Sequence, residues 1–395
     1  NSLPWRTPDS VARLLPFSAV RPPRSKAGLV STRSYVSYMP EHLRGKQTTN
    51  PFSFLHVIHP LDADGLRGAA HQEAVRTAYE SFLDRGYLQR ESEDAFWIYR
   101  QESPSGHRTT GLLGLVPTAD LQNGTVKAHE KTLSKREDLF ARYLSTVGFH
   151  AEPVLLAHQP VPTLNEWLDR RCLERPEAEF ATADGSEHAL WLVNAPHEQA
   201  EINALLAPID ALYIADGHHR CASSARLGNE SAGVLAFVLA NDQLVVRPFH
   251  RVVHAGAPNP EAWEALHRVA DVTPCSQLPE ELPTGVLCVS HGNQHWKITP
   301  HVQPALDVDW CSEALLGPLW GIADLRTDKR LTFAPGTESL PQFAQQQDPA
   351  DWWIGLAPMP WSAVEQVADR GASMPPKSTY IEPKLRSGVT LYAWK

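Results

Sequence analysis

Residues 211–215 form an apolar run of strand length, and residues 221–227 carry small, helix-favouring side chains with Ala222 and Ala225 on one face. The chain must therefore turn a buried strand into a helix within Asp216-Gly217-His218-His219-Arg220. Gly217 permits a positive φ or a close backbone approach there, and the first amides of the following helix have no intrahelical partner. Such a helix end favours anions by about 0.3–1 kcal/mol, and an arginine at its start adds a planar fork for phosphate or carboxylate oxygens. Two readings fit: Asp216 as an N-cap before a solvated first turn, or an anion-binding turn built from Gly217, His218, His219 and Arg220.

The rest of the chain sets this junction in a mixed fold. With 395 residues it exceeds the usual size of one core, and 33 prolines argue against a helical bundle. Strands are expected over 54–58, 95–101, 110–116, 126–129, from 154, 189–193, 234–239, 244–253, 286–298 (a hairpin across 291–293) and 352–356. Helices are expected over 69–85, 135–146, 164–171, 261–270, 311–320 and 362–370, the second opened by a capping box at Ser134 and Glu137. The strands over 234–239 and 244–253 read as a pair joined at Asn241-Asp242. The fold class is α+β, a mixed α/β architecture. Three regions are expected: a basic irregular segment over 1–50, a mixed α/β core over 51–255 carrying the active site, and a C-terminal α/β region over 256–395.

Composition narrows the partners. The formal charge of −9 disfavours a general nucleic-acid binder, although residues 1–50 hold eight basic against two acidic side chains. Five scattered cysteines without a C-x-x-C spacing fit reduced thiols, and no secretory h-region precedes them. The longest apolar run, 232–240, is strand-sized and far short of a membrane span. A cytoplasmic protein is expected, with no nucleic-acid or membrane partner.

Three further groups carry candidate chemistry. His129-Glu130-Lys131-Thr132 lies between an expected strand and helix and offers acid, base, metal or phosphate contacts, or a solvated loop. His250 and His254 sit four apart on a strand, roughly 13 Å by its rise, too far for one metal ion. Pro375-Pro376-Lys377-Ser378-Thr379, followed by Lys384 and Arg386, is a basic, hydroxyl-rich loop suited to an anion or to solvent. Signatures of P-loop, Rossmann, serine-hydrolase and zincin sites are absent.

These blocks resemble, in order, a known family. Asn50 to Val57, Trp97 to Gln101, Gly111 to Val116, His129 to Thr132, Tyr213 to Arg220, His250 to Val253 and Met374 to Gly388 follow the pattern of the domain of unknown function 1015 family, over about residues 17–392. Its D-G-H-H-R segment is similar to that of ParB/sulfiredoxin-fold proteins, including free serine kinases. The resemblance implies a ParB/sulfiredoxin-like nucleotide-binding core with α/β elaborations. It implies an ATP- or ADP-dependent phosphotransferase that acts with Mg²⁺ on a small hydroxylated metabolite, a free amino acid such as serine among the expected acceptors. Under it, Glu130, Asp216 and His218 are catalytic, with Glu130 and Asp216 also the metal ligands. Gly217, His218, His219, Arg220, Lys131 and Thr132 hold the nucleotide phosphates, and His129, His250, Arg251, Lys377, Ser378 and Thr379 contact substrate. The alternatives are a metal-dependent hydrolase built from His129, Glu130, Asp216 and His218, and a non-catalytic nucleotide or phosphometabolite sensor.

The chain departs from the pattern in two places. His218 stands where sulfiredoxin has its reactive cysteine, which argues against sulfinic-acid reduction. Arg33-Ser34-Tyr35-Val36 stands where the family typically has Pro-Pro-Tyr-Asp, so an acidic group is missing.

Overall fold

The computed structural model describes residues 12–63 and 65–395. They form two compact units: the first comprises the chain up to Ala128, Thr132–Leu244 and Pro383–Lys395, the second His129–Lys131 and Val245–Glu382. The sequence placed a boundary at 255; the units part at Leu244. The described part of the segment expected to be irregular carries the strand Ala19–Arg21 and the helix Pro40–Thr49.

The first unit is built on a mixed eight-stranded sheet. Its order is Val126–Lys127, Leu212–Asp216, Val154–His158, Gly233–Ala240, Arg108–Pro117, Phe96–Glu102, Glu187–Val193 and Ala178–Ala181. Leu212–Asp216 runs parallel to Val126–Lys127 and antiparallel to Val154–His158, while Gly233–Ala240 runs parallel to Val154–His158. Every residue of Gly233–Ala240 is buried, as an unbroken apolar run demands of a central strand. Leu164, Trp167 and Leu168 of the helix Pro162–Arg171, Ile202 and Leu206 of Pro196–Leu206, and Cys221 of His218–Leu227 share one core with this sheet. A smaller sheet joins Gln89–Arg90, Ala19–Arg21, Leu391–Ala393 and Phe149–His150.

The second unit holds an antiparallel sheet ordered Ala270–Pro274, Gln294–Pro300, Leu287–His291, Trp352–Gly355, Val245–Val253 and Leu331–Pro335, with Thr379–Glu382 paired to the start of Val245–Val253. Its helix Pro260–Leu266 starts on Asn259, whose side chain accepts from the amides of Glu261 at 2.9 Å and Ala262 at 3.2 Å. Asn259→Ala is expected to cost about 1 kcal/mol, read as a lower midpoint in thermal unfolding of the full chain; an unchanged midpoint would show that the cap contributes nothing.

The mixed α/β class is borne out, and four local expectations are corrected. Residues 55–58 are a helical turn, Leu55–Ile58, set up by Asn50 Oδ1 accepting from Phe52 N at 3.0 Å and Ser53 Oγ from Leu55 N at 3.3 Å. Gly233–Ala240 and Val245–Val253 do not pair, because both edges of the former are taken by Arg108–Pro117 and Val154–His158. The capping box at Ser134 does not form: Leu133 is the N-cap, and Glu137 accepts instead from Thr132 and Arg226. The helix expected over 261–270 stops at Leu266, and Ala270–Pro274 is a strand.

Candidate functional site

The strand-to-helix turn lies in the first unit and has the expected geometry. The strand Leu212–Asp216 is buried through Ala215, and the helix His218–Leu227 begins two residues after the strand ends. Gly217 takes φ +102°, and a Cβ there would come within 2.8 Å of Val154 Cγ1 and 3.2 Å of Arg220 Nε. The turn is thus closed to any larger residue by both backbone and packing. The first intrahelical bond is Cys221 N to Gly217 O at 2.9 Å, so the amides of His218, His219 and Arg220 precede the helical ladder.

Arg220 turns back beneath this helix start instead of reaching outward. Its guanidinium donates to Pro153 O at 2.6 Å and Asp216 Oδ2 at 2.8 Å, and pairs with Glu152 Oε1 at 2.9 Å. Lys384 Nζ lies 3.0 Å from the other oxygen, Asp216 Oδ1, and Ser387 donates to Glu152 at 3.0 Å. Burial works to raise the Asp216 carboxyl, but the charges of Lys384 and Arg220 overcome it and hold the group below its ordinary value. Burial likewise opposes the Arg220 charge, and Glu152 and Asp216 restore it. The turn is therefore fastened by a four-member ionic chain, Glu152–Arg220–Asp216–Lys384. Cys221, just behind it, is buried and pushed up to about 12, an inert thiol at neutral pH.

A second layer supports the first. Ser224 Oγ donates to Arg220 O at 2.8 Å and lies 3.2 Å from His150 Nε2, while His150 Nδ1 accepts from Leu235 N at 3.2 Å. These bonds agree only if His150 is neutral with its proton on Nε2. Burial pulls it down to about 3.

The H-E-K-T group is divided between the units. His129, Glu130 and Lys131 belong to the second, where His129 O accepts from Met374 N at 2.8 Å, Glu130 bridges to Met374, and Lys131 O accepts from Arg326 at 3.2 Å. Thr132 belongs to the first, and its hydroxyl is given to Glu137. That bond, ahead of the Arg226 contacts, holds the Glu137 carboxyl below its ordinary value against its burial.

Also in the second unit, His250 lines a cavity of about 250 Å³ with Arg247, Glu280, Glu338 and Ser339, and its Nδ1 accepts from Leu356 N at 3.2 Å. Burial draws His250 down to about 4, so it is neutral at physiological pH. Its neighbour Arg251 is fully buried and bonds to Lys377 O at 2.9 Å. Ser378 donates to Pro375 O at 2.8 Å, and Thr379 opens the strand Thr379–Glu382.

The expected magnesium site does not fit what stands at Asp216. Both of its carboxylate oxygens are held by cations, and among the described residues no three His, Cys, Asp or Glu side chains converge to hold a metal. Glu152 was not foreseen as a partner of the turn, and nothing in its local sequence marks it.

The chain belongs to the DUF1015 family of proteins of unknown function, whose model matches residues 14–310. No curated protein matches it in sequence. Among solved structures it is similar to a C-terminally truncated SbnI from Staphylococcus aureus, with 14% identity, a TM-score of 0.39, and coverage of 68% of this chain and 82% of that one. A free serine kinase in complex with AMP shows 16% identity and a TM-score of 0.39 over 70% of this chain and 91% of its own. A conserved hypothetical protein from Pyrococcus furiosus shows 13% identity and a TM-score of 0.38 over 69% and 93%. No residue role passes from them to this chain. Among the described residues no helix is long and apolar enough to cross a membrane.

Proposed function

We propose that the Gly217–Arg220 turn binds the phosphate groups of a nucleotide and that the protein is an ATP- or ADP-dependent phosphotransferase acting on a small hydroxylated metabolite, with a free amino acid such as serine in its range. The observation that carries this reading is the backbone of the turn. A left-handed glycine at the end of a buried strand leaves three amides ahead of the helical ladder, with His218 and His219 beside them. That arrangement turns the positive end of a helix dipole towards an anion without reorganisation. Asp216, salt-bridged and ionised, orients Arg220 and Lys384. No step is assigned to a resident metal ion; magnesium arrives, on this reading, with the nucleotide. The setting is cytoplasmic, where the five free cysteines stay reduced.

Titration calorimetry of the full chain with ADP, ATP and AMP in the presence of magnesium tests the binding step. Saturable heat is expected with at least one of them, and His219→Ala is expected to weaken it about tenfold, the worth of one hydrogen bond to a charged group. Silence with all three would end the nucleotide reading. The commitment of both Asp216 oxygens favours a second reading, a nucleotide sensor without turnover. A screen for ATP- or ADP-dependent phosphorylation of free amino acids and hydroxy acids separates the two.

A further inference from the structure

The second unit contains a charge with no counter-charge. Arg251, in the middle of the strand Val245–Val253, has 0% of its surface exposed, and among the described residues no carboxylate is among the charges that bear on it. Its guanidinium packs 4.8 Å from the centre of the Phe333 ring. One end is satisfied: Nη1 donates to Phe249 O at 2.8 Å and Lys377 O at 2.9 Å. The other donors, Nε and Nη2, are buried without a hydrogen-bond partner. These two nitrogens form the side edge of the guanidinium, whose parallel N–H groups match the two oxygens of a carboxylate.

An independent feature marks the same place. Lys377, whose carbonyl is aimed at Arg251, is the only described non-glycine residue with positive φ, at +58°. Strain of that kind gathers at ligand-holding sites. Burial draws the Arg251 guanidinium down to about 10, still charged at neutral pH, while the nearby Cys311 thiol is pushed up to about 12 and supplies no negative charge.

We infer that Arg251 and the turn at Lys377 form a binding site for the carboxylate group of a small organic acid, held on the Nε/Nη2 edge. A carboxylate brings one negative charge and two coplanar oxygens, which balances one guanidinium and its two open donors. Phosphate would bring a second charge and further oxygens to a site bordered by Phe249 and Phe333. The inference concerns the second unit and does not rest on the nucleotide reading of the first.

The test is thermal unfolding of the full chain titrated with sodium acetate or L-lactate at constant ionic strength, with sodium chloride, methyl lactate and inorganic phosphate as the comparison arms. Acetate and lactate are expected to raise the midpoint saturably, and chloride and methyl lactate are not. A saturable response to phosphate as strong as that to acetate would overturn the carboxylate assignment, and no saturable response in any arm would overturn the site. Arg251→Met removes the charge at similar volume; it is expected to abolish the acetate response, whatever the loss of the Phe249 O and Lys377 O bonds does to the midpoint measured in chloride. A lowered midpoint with the acetate response intact would make Arg251 a brace for the Lys377 turn and nothing more. Should Arg251→Met fail to fold, Arg251→Lys keeps the charge without the edge and is expected to weaken acetate at least tenfold. In the unmodified protein the Arg251 Nε–H resonance should move on acetate addition, and a stationary resonance would count against the site.

Discussion

Lowering the pH from about 7.5 to about 5 is expected to destabilise the first unit by about 4 kcal/mol, with His150 and His188 as the source. Burial, the largest cause in each case, pulls both down to about 3 from an ordinary 6.5; at His188 the Arg386 charge adds to it and Asp184 opposes. The folded state therefore binds fewer protons than the unfolded chain between those values, and stability rises with pH across that window. It is complete above about pH 6.5 and is lost as the pH falls towards 3. At about pH 5 each histidine accounts for roughly 2 kcal/mol, a figure that depends on the unfolded value and hardly on how far below 5 the folded one lies.

The hydrogen bonds say why these rings resist the proton. His150 Nδ1 receives the amide of Leu235, on the central strand. His188 Nδ1 lies 2.8 Å from the Tyr99 hydroxyl, and its Nε2 lies 3.3 Å from a Thr182 oxygen whose own proton goes to Asp184. Protonating His150 turns an acceptor into a donor that faces the Leu235 amide, and at His188 the proton is opposed by burial and by the Arg386 charge. Hydrogen exchange of a peptide spanning residues 233–240 at the two pH values measures the effect, and His150→Gln and His188→Gln should each remove about one proton from the pH slope. Slopes unchanged in both variants would place the acid sensitivity elsewhere.

The same residues show what could be read from the sequence and what could not. The strand and helix around Gly217 were legible because an apolar run and a helix-favouring run meet at a glycine, and both signals are local. The ionic chain that fastens them was not, since Glu152 and Lys384 join Asp216 and Arg220 only through the fold; Lys384 lies 168 residues from its partner. Pairing failed for a similar reason. Gly233–Ala240 looked like half of a hairpin with Val245–Val253, but an eight-residue run buried on both faces is a central strand with both edges occupied. Residues 54–58 misled because a short apolar run carries no period, and the side chains of Asn50 and Ser53 tipped it towards a helical turn. His129 to Thr132 read as one cluster, yet the first three belong to the second unit and Thr132 to the first.

Arg220→Met is expected to destabilise the first unit by about 3 kcal/mol at neutral pH, measured by urea unfolding. Removing one partner of a largely buried ion pair typically costs about 3–5 kcal/mol, because the remaining charge stays desolvated and uncompensated. The lower end applies here: Asp216 keeps Lys384, Glu152 keeps the Ser387 hydroxyl, and 37% of the Asp216 side chain is accessible. The backbone carbonyl of Pro153 also loses its donor. Asp216→Asn in the same background should cost less than it does alone, since the two groups share one network. The sign for acid follows from the Asp216 carboxyl, whose folded value lies below its unfolded one. Its contribution is present above about pH 4 and fades as the pH falls through the folded value, and Arg220→Met should shrink that fade. Arg220→Lys tests geometry apart from charge, because one ammonium cannot reach Pro153 O, Glu152 and Asp216 together. A stability change below about 0.5 kcal/mol in Arg220→Met would mean that the network is decorative and that Arg220 serves a ligand alone. A loss near 3 kcal/mol makes it the residue that holds the turn in shape.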